Sequence, residues 1–247
     1  MILKDRTILV TGAGGGLGRE IVLACGRAGA HVILSDFNAD LGAESLVALT
    51  AAGGSGELRL ADLSDPASIA ALGAGLDGPL HGLINNGAIA TGIGGIGFRD
   101  IDIAVWDKVM QVNVRGTWLM IRACAEALIA SGSGRVVNLA SDTALWGAPN
   151  LLSYTSSKGA IMAMTRSLAR ELGPDHVGVT AIAPGILTTE STEYVPQARH
   201  DLYETGRAVP GKQGTGDVAE VAAFLVSPPA ITLTGQTMPV DNGFVFN

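Results

Sequence analysis

The feature that most limits the fold of this chain is an alternation repeated along its 247 residues. Short, nearly continuous apolar runs are each followed by a longer stretch with helical periodicity. Thr7-Ile8-Leu9-Val10, His31-Val32-Ile33-Leu34, Leu58 to Ala61, Gly82-Leu83-Ile84-Asn85, Arg135 to Leu139, Val177 to Ile182 and Gln236 to Val240 read as strands. Leu17 to Ala28, Ala39 to Thr50, Ile103 to Ile129, Leu151 to Leu172 and Gly216 to Val226 read as helices. A strand that is apolar along its whole length needs cover on both faces, which is the condition of a parallel sheet. Right-handed crossovers then predict an α/β, doubly wound (Rossmann) parallel sheet of about seven strands, with helices on both faces. No Pro-rich or charged linker divides the chain, so residues 1–247 are expected to form one domain. The least regular stretch, about 186–213, carries Pro196 and Pro210 and suits a lid over a pocket.

Composition excludes several function classes. Charged residues make up 16% and hydrophobic residues 47%, so a sizeable core is expected rather than disorder. A net charge of −7 with no basic run argues against a nucleic-acid surface, because phosphate contacts need clustered Lys and Arg. No stretch of about 18 uninterrupted apolar residues or secretory signal is seen, so no membrane span and a cytoplasmic location are expected. Cys25 and Cys124 fall in apolar helical stretches and read as buried free thiols. His31, His81, His176 and His200 are scattered without ligand spacing, so no metal site is expected.

The glycine-rich turn Thr11-Gly12-Ala13-Gly14-Gly15-Gly16-Leu17-Gly18 joins the first strand to the first helix. Such a turn lets backbone approach a pyrophosphate, and the helix N-terminus offers free N–H groups and a favourable dipole. Gly12, Gly14, Gly15, Gly16, Leu17 and Gly18 are therefore candidate cofactor-binding residues. It is not a Walker loop, since the Gly211-Lys212 pair is followed by Gln213. Asp36 ends the second strand, 18 residues beyond Gly18, where a carboxylate accepts from ribose hydroxyls and repels a 2′-phosphate. Phe37 follows, with no adjacent Arg or Lys, which favours NAD over NADP. Asp36 could instead cap the next helix, a task open also to Asn38 and Asp40. Asp62 and Leu63 end the third strand and are candidates for the adenine edge.

Tyr154 and Lys158 lie four residues apart, with Ser141 thirteen residues before the tyrosine. The i, i+4 spacing puts phenol and ammonium on one helix face, where the positive charge is expected to lower the tyrosine pKa. A phenol tuned toward neutrality can take a proton from an alcohol or return one to a carbonyl. A hydroxyl such as that of Ser141 can donate to a developing alkoxide.

These residues, in this order, resemble the classical short-chain dehydrogenase/reductase family over nearly the whole chain. The resemblance is carried by the Thr11 to Gly18 turn, Asp62, Asn113, Ser141, Tyr154, Lys158, Pro184-Gly185, Leu233-Thr234-Gly235-Gln236 and Val240-Asp241. It implies Tyr154 as general acid/base and Lys158 as the group that lowers its pKa and binds the nicotinamide ribose. It implies Ser141 as hydrogen-bond donor to the substrate oxygen, and Asn113 as holder of a water linking Lys158 to solvent. It also implies Asn86, Gly87 and Ala88 behind the fourth strand as cofactor contacts, with Pro184, Gly185, Ile186 and Thr188 at the carboxamide. Two departures stand out: the family's Asn-Asn-Ala-Gly reads Asn85-Asn86-Gly87-Ala88, and its Val-Asp-Gly-Gly reads Val240-Asp241-Asn242-Gly243. Strain is expected at Ala88 if glycine-like angles are needed there, and little change at Asn242, which tolerates left-handed angles.

Candidate substrate-wall residues are Ile93, Ile96, Leu145, Trp146, Leu187 and Tyr194, whose apolar or aromatic character suits a ring or short alkyl chain on a secondary alcohol. Arg99, Arg199 and Arg207 are weaker candidates for an acidic group, and Asp142 would discourage a carboxylate near the reacting carbon. The expected function is NAD-dependent interconversion of a secondary, cyclic or aromatic alcohol and its carbonyl compound. The rivals are a 3-oxoacyl thioester reductase of the same family and an NAD-sensing protein without turnover. The resemblance also implies a homo-oligomer, a tetramer or dimer; Trp118, Leu119 and Met120 could serve that contact or the core.

Overall fold

The computed structural model describes residues 1–189 and 192–246. Seven strands form one parallel sheet: β1 (Thr7–Thr11), β2 (His31–Asp36), β3 (Ser55–Leu60), β4 (Gly82–Asn85), β5 (Arg135–Leu139), β6 (Gly178–Pro184) and β7 (Thr237–Val240), in the order β3-β2-β1-β4-β5-β6-β7. The order reverses between β1 and β4, where Val10 pairs with Ile84 and Thr11 with Asn85. A crevice opens at such a switch point beyond the carboxyl ends of the strands.

Alternate side chains of each central strand enter opposite layers, as period two requires. Ile8 and Val10 of β1 belong to one buried cluster and Leu9 to the other; Val32 and Leu34 of β2 face away from Ile33 in the same way. The first layer is completed by α1 (Gly16–Arg27), α2 (Ala39–Ala51) and α9 (Thr215–Leu225), through Ile21, Cys25, Leu49, Val218 and Ala222. The second is completed by α3 (Pro66–Ala74), α5 (Thr117–Ala130) and α7 (Leu152–Leu172), through Ile69, Leu72, Met120, Cys124 and Ala169. Burial raises the pKa of both free thiols, Cys25 and Cys124, to about 12, which suits inert packing.

Several predicted elements change in detail. The single long helix expected over 103–129 is α4 (Ile103–Val109), a π-helical stretch over Met110–Gly116, and α5. Helix α3 falls where no element was read: Asp65 accepts from the Ala67 N–H at 2.9 Å and Pro66 occupies the first turn, a start well suited to a helix. A short α6 (Thr143–Trp146) follows Ser141, and the segment expected to be irregular contains α8 (Gln197–Gly206). Leu119 and Met120 are core residues, whereas Trp118 is 43% exposed with Arg122 over its ring, so of that trio only the tryptophan remains open to a subunit contact. Among the described residues no helix is long and apolar enough to cross a membrane.

Candidate active site

At the carboxyl ends of the strands lies a cleft of about 1130 Å³ that the glycine turn and the Ser141–Tyr154–Lys158 group share. The turn is shaped by close packing on one side and open space on the other. A Cβ at Gly18 would lie 1.8 Å from the Gly12 carbonyl oxygen, and one at Gly12, which holds φ +62°, would lie 2.6 Å from the Gly87 Cα. No side chain but hydrogen fits there. At Gly15 and Gly16 a Cβ would meet nothing within 4 Å, and no side chain caps α1. The first N–H groups of the helix therefore face the open cleft, an arrangement that fits a pyrophosphate.

Asp36 lines this end of the cleft, 9% exposed. Its Oδ2 accepts from the Gly14 N–H at 2.8 Å and its Oδ1 from the Asn38 N–H at 2.9 Å. Asn38, not Asp36, caps α2, accepting from the Asp40 and Leu41 N–H groups. Asp36 is thus free of the capping task and keeps lone pairs for ribose hydroxyls. Gly14 does not line the cleft; it faces Asp36 and Leu41 and holds the carboxylate instead. Phe37 is 77% exposed beside Asp36. Asp62 and Leu63 also line the cleft, with Asp62 accepting from the Ser64 N–H at 2.7 Å, a bond that holds its carboxyl below the usual range.

Asn86, Gly87 and Ala88 form the floor between the two halves. The Asn86 amide donates to the Thr11 and Gly12 carbonyls, and Thr11 Oγ accepts from the Asn86 and Gly87 N–H groups. A Cβ at Gly87 would lie 2.7 Å from Leu63 Cδ1, so the small residue at this position is required. Ala88 is not among the residues with positive φ, and the expected strain is absent. Asn242 does adopt the left-handed conformation, φ +59°.

Ser141 stands at the end of β5, and Tyr154 and Lys158 rise from the first turns of α7. Lys158 is 4% exposed; its Nζ donates to the Leu139 carbonyl at 2.6 Å and lies 5.5 Å from the centre of the Tyr154 ring. Burial lowers the Lys158 pKa to about 8. Burial raises that of Tyr154 to about 12, opposed by its hydrogen bond with Ser141 and reinforced by the charge of Asp142. The expected lowering of Tyr154 by Lys158 is therefore absent in the bare protein: the ammonium is anchored on Leu139, and the phenol is desolvated.

Asn113 lies in the π-helical stretch and is 1% exposed. Its Oδ1 accepts from the Ile89 N–H at 2.8 Å, and its Nδ2 donates to the Ile89 carbonyl and to Ser157 Oγ. It ties the segment after β4 to α7 beneath the cleft rather than touching Lys158.

Pro184, Gly185 and Ile186 line the cleft; Thr188 does not. Thr188 is exposed, its N–H given to the Gln213 carbonyl, and Thr189 and Thr192 occupy the wall instead. Of the predicted substrate residues, Leu187 and Tyr194 reach the cleft, Tyr194 donating to the Ala90 carbonyl at 2.8 Å. Ile93, Ile96, Leu145 and Trp146 do not line it. Ile96 is 43% exposed, Leu145 packs on Ile161 and Met162, and the Trp146 ring is held by Tyr203 and Phe244. Val112, Pro149 and Asn150 line the wall without having been expected there; their chain positions carry no local signal. Arg207 is buried on backbone carbonyls, and Arg99 lies over Phe98, so of the three arginines only Arg199 faces the cleft. Among the described residues no group of three or more His, Cys, Asp or Glu could hold a metal ion.

Comparison with known proteins bears on this geometry. A family model described as enoyl-(acyl carrier protein) reductase matches residues 12–245. The 2-(S)-hydroxypropyl-CoM dehydrogenase 3 of Xanthobacter autotrophicus is 34% identical over 98% of this chain and 97% of its own length. A solved short-chain type dehydrogenase/reductase from Mycobacterium ulcerans superposes with a TM-score of 0.92 at 28% identity, over 98% of this chain and 90% of that one. The chain belongs to the short-chain dehydrogenase/reductase family. Another relative in the family, the cyclopentanol dehydrogenase of a Comamonas strain, is 30% identical over 99% of both chains. A candidate NAD(P)-dependent gluconate 5-dehydrogenase from Beutenbergia cavernae, solved with NADP bound at low occupancy, superposes with a TM-score of 0.90 at 33% identity, over 98% of this chain and 97% of that one. This chain is accordingly an oxidoreductase of a family whose members bind nicotinamide dinucleotides.

Proposed function

We propose that this protein is an NAD-dependent dehydrogenase that interconverts a secondary alcohol and its carbonyl compound. The observation that carries the reading is the convergence of Ser141, Tyr154 and Lys158 with the glycine turn and Asp36 on one cleft. A bound nicotinamide dinucleotide supplies the hydride acceptor. The turn from Gly12 to Gly18 would hold its pyrophosphate and Asp36 its adenosine ribose, with Lys158 at the other ribose. Ser141 would donate to the substrate oxygen, and Tyr154 would take the alcohol proton as the phenolate or give its proton to the carbonyl oxygen as the phenol. Lys158, held on the Leu139 carbonyl with Nζ 5.5 Å from the centre of the phenol ring, would favour the phenolate by its charge, against the burial that opposes it. Leu187 and Tyr194, which line the same cleft, would form an apolar wall for the substrate.

Preference for NAD is supported by the cations near Asp36. Arg19 reaches the turn, but its Nε is given to Ser45 Oγ and its Nη2 to the Gly14 carbonyl and Glu44, which ties it to α2. The alcohol assignment is supported by relatives named for 2-(S)-hydroxypropyl-CoM and for cyclopentanol, both secondary alcohols. A soluble homo-oligomer in the cytoplasm remains part of this reading. A second reading, reduction of a 3-oxoacyl thioester, is favoured by a relative named as a 3-oxoacyl-(acyl-carrier-protein) reductase in Pseudomonas aeruginosa, 32% identical over 98% of this chain. Initial rates on cyclic, aromatic, aliphatic and sugar-derived alcohols with NAD⁺ or NADP⁺, against a 3-oxoacyl thioester with NADH or NADPH, separate the two. Alcohol oxidation with kcat/KM at least about tenfold higher for NAD⁺ is expected. Faster thioester reduction with NADPH would replace the first reading with the second.

A further inference from the structure

A buried hydrogen-bond chain joins helix α8 to Ser141, and none of the roles above uses it. Tyr203 of α8 is 2% exposed. Its hydroxyl accepts from Trp146 Nε1 at 3.1 Å and donates to Asp142 Oδ1 at 2.8 Å. One hydroxyl can do both, having a single hydrogen and spare lone pairs. The ring stacks on Phe244 with centroids 4.2 Å apart, and Trp146 meets both rings edge-on. This aromatic packing fixes where the Tyr203 hydroxyl oxygen sits.

Asp142 has no solvent exposure. Ser141 Oγ lies 3.5 Å from the same Asp142 Oδ1 and 3.5 Å from the Pro184 carbonyl. Thr143 donates to Ser141 Oγ through its N–H at 3.3 Å and its hydroxyl at 2.9 Å. With those donors on its lone pairs, the Ser141 hydrogen is left to point toward Asp142, toward Pro184 or toward the Tyr154 hydroxyl in the cleft. The second carboxylate oxygen, Asp142 Oδ2, is buried without a hydrogen-bond partner and lies against Gly185, where a Cβ would approach it to 3.1 Å.

We propose that Asp142, held by Tyr203, is a positioning residue for Ser141: ionised, it draws the serine hydrogen toward itself, and neutral, it releases that hydrogen to the substrate oxygen. Tyr203 adjusts the balance from α8, because its hydrogen bond favours the ionised carboxylate. Other groups act on the same carboxyl. Arg207, after α8, favours the charged form, as does the Thr143 N–H of α6; Asp241, after β7, opposes it, and burial opposes it most. On the α7 side the Asp142 charge also disfavours a Tyr154 phenolate. Arg199 of α8 reaches the pair through Tyr203. The outcome is a carboxyl raised to about 7, so that both states are populated near neutral pH.

The task given to Ser141 here rests on the dehydrogenase reading, but the linkage between Ser141 and Asp142 can be measured without turnover. The full chain is labelled with ¹³C at the aspartate carboxyls and titrated by NMR, the Asp142 signal being the one missing from Asp142→Asn. That signal is expected to titrate near neutrality. Its midpoint should rise by roughly half a pH unit or more in Tyr203→Phe and in Ser141→Ala, since each removes a donor to the charged form. Thermal unfolding and NADH fluorescence establish that each variant is folded; if Tyr203→Phe is not, Trp146→Phe weakens the same chain and should move the midpoint the same way. A signal titrating with the ordinary carboxylates, or a midpoint unmoved by Ser141→Ala, would overturn the proposal. A chain inactive on every alcohol but showing these shifts would sink the dehydrogenase reading and leave the linkage standing.

Discussion

Replacing Asp142 by asparagine should gain stability relative to the wild type as pH rises, from a deficit in acid to an advantage above neutrality. In the unfolded chain the carboxyl releases its proton near its ordinary 3.8; in the fold, burial raises that value to about 7. Between the two, the folded state holds a proton that the unfolded state has lost. The stability due to this group is therefore full below about 3.8 and falls as pH rises toward 7, above which the charged carboxylate is a constant penalty. The two values are about three pH units apart, and at roughly 1.4 kcal/mol per unit the loss amounts to about 4 kcal/mol. The asparagine keeps an oxygen for the Tyr203 hydroxyl but places an amide where Oδ2 has no partner, at a cost of about 1–3 kcal/mol. That cost is the same at every pH, so the slope isolates the charge. Guanidinium unfolding at a series of pH values should show variant minus wild-type stability growing by about 4 kcal/mol from about pH 4 to about pH 8, then levelling. A difference that is flat across that range, or that shrinks with rising pH, would refute the reasoning.

Other expectations follow from the cofactor end of the cleft. Gly18→Ala should weaken NADH binding at least about tenfold, since its Cβ would lie 1.8 Å from the Gly12 oxygen; Gly15→Ala, with open space around its Cβ, should leave unfolding stability within about 0.5 kcal/mol. Fluorescence titration and denaturant unfolding check the pair. Asp36→Asn should lower the NAD⁺ over NADP⁺ ratio of kcat/KM by about tenfold or more, because it removes the charge that repels a 2′-phosphate while leaving an oxygen for the Gly14 N–H. An unchanged ratio would assign cofactor choice to residues other than Asp36.

The central strands were readable because Ile8, Leu9 and Val10 are apolar on both faces of the chain, a pattern only a doubly covered sheet tolerates. The end of β5, the glycine turn and the Tyr154–Lys158 pair were readable because their spacing is local and each residue type is tied to one task. Helix α3 was missed although Asp65-Pro66 marks its start, because the following residues are small and weakly patterned. Helix α8 was missed because its sequence, from Gln197 to Gly206, is mostly polar and buries only Tyr203. The wall of the cleft was the least legible part. Apolar character says that Ile93, Ile96, Leu145 and Trp146 seek contact, not in which direction, and those directions depend on packing between distant segments. Asp142 and Tyr203 are 61 residues apart, and their hydrogen bond exists only once α8 is brought against the segment that follows β5.

The central claim is that Tyr154 transfers the proton in an alcohol oxidation that reduces NAD⁺. Its most direct test compares initial rates of NADH formation by the wild type and by Tyr154→Phe across the alcohol panel, with NADH binding followed by fluorescence. Turnover of at least one alcohol class is expected for the wild type, with a loss on the order of a thousandfold in the variant and NADH affinity unchanged. Equal rates in the two proteins, or a wild type that binds NADH yet oxidises no alcohol, would contradict it.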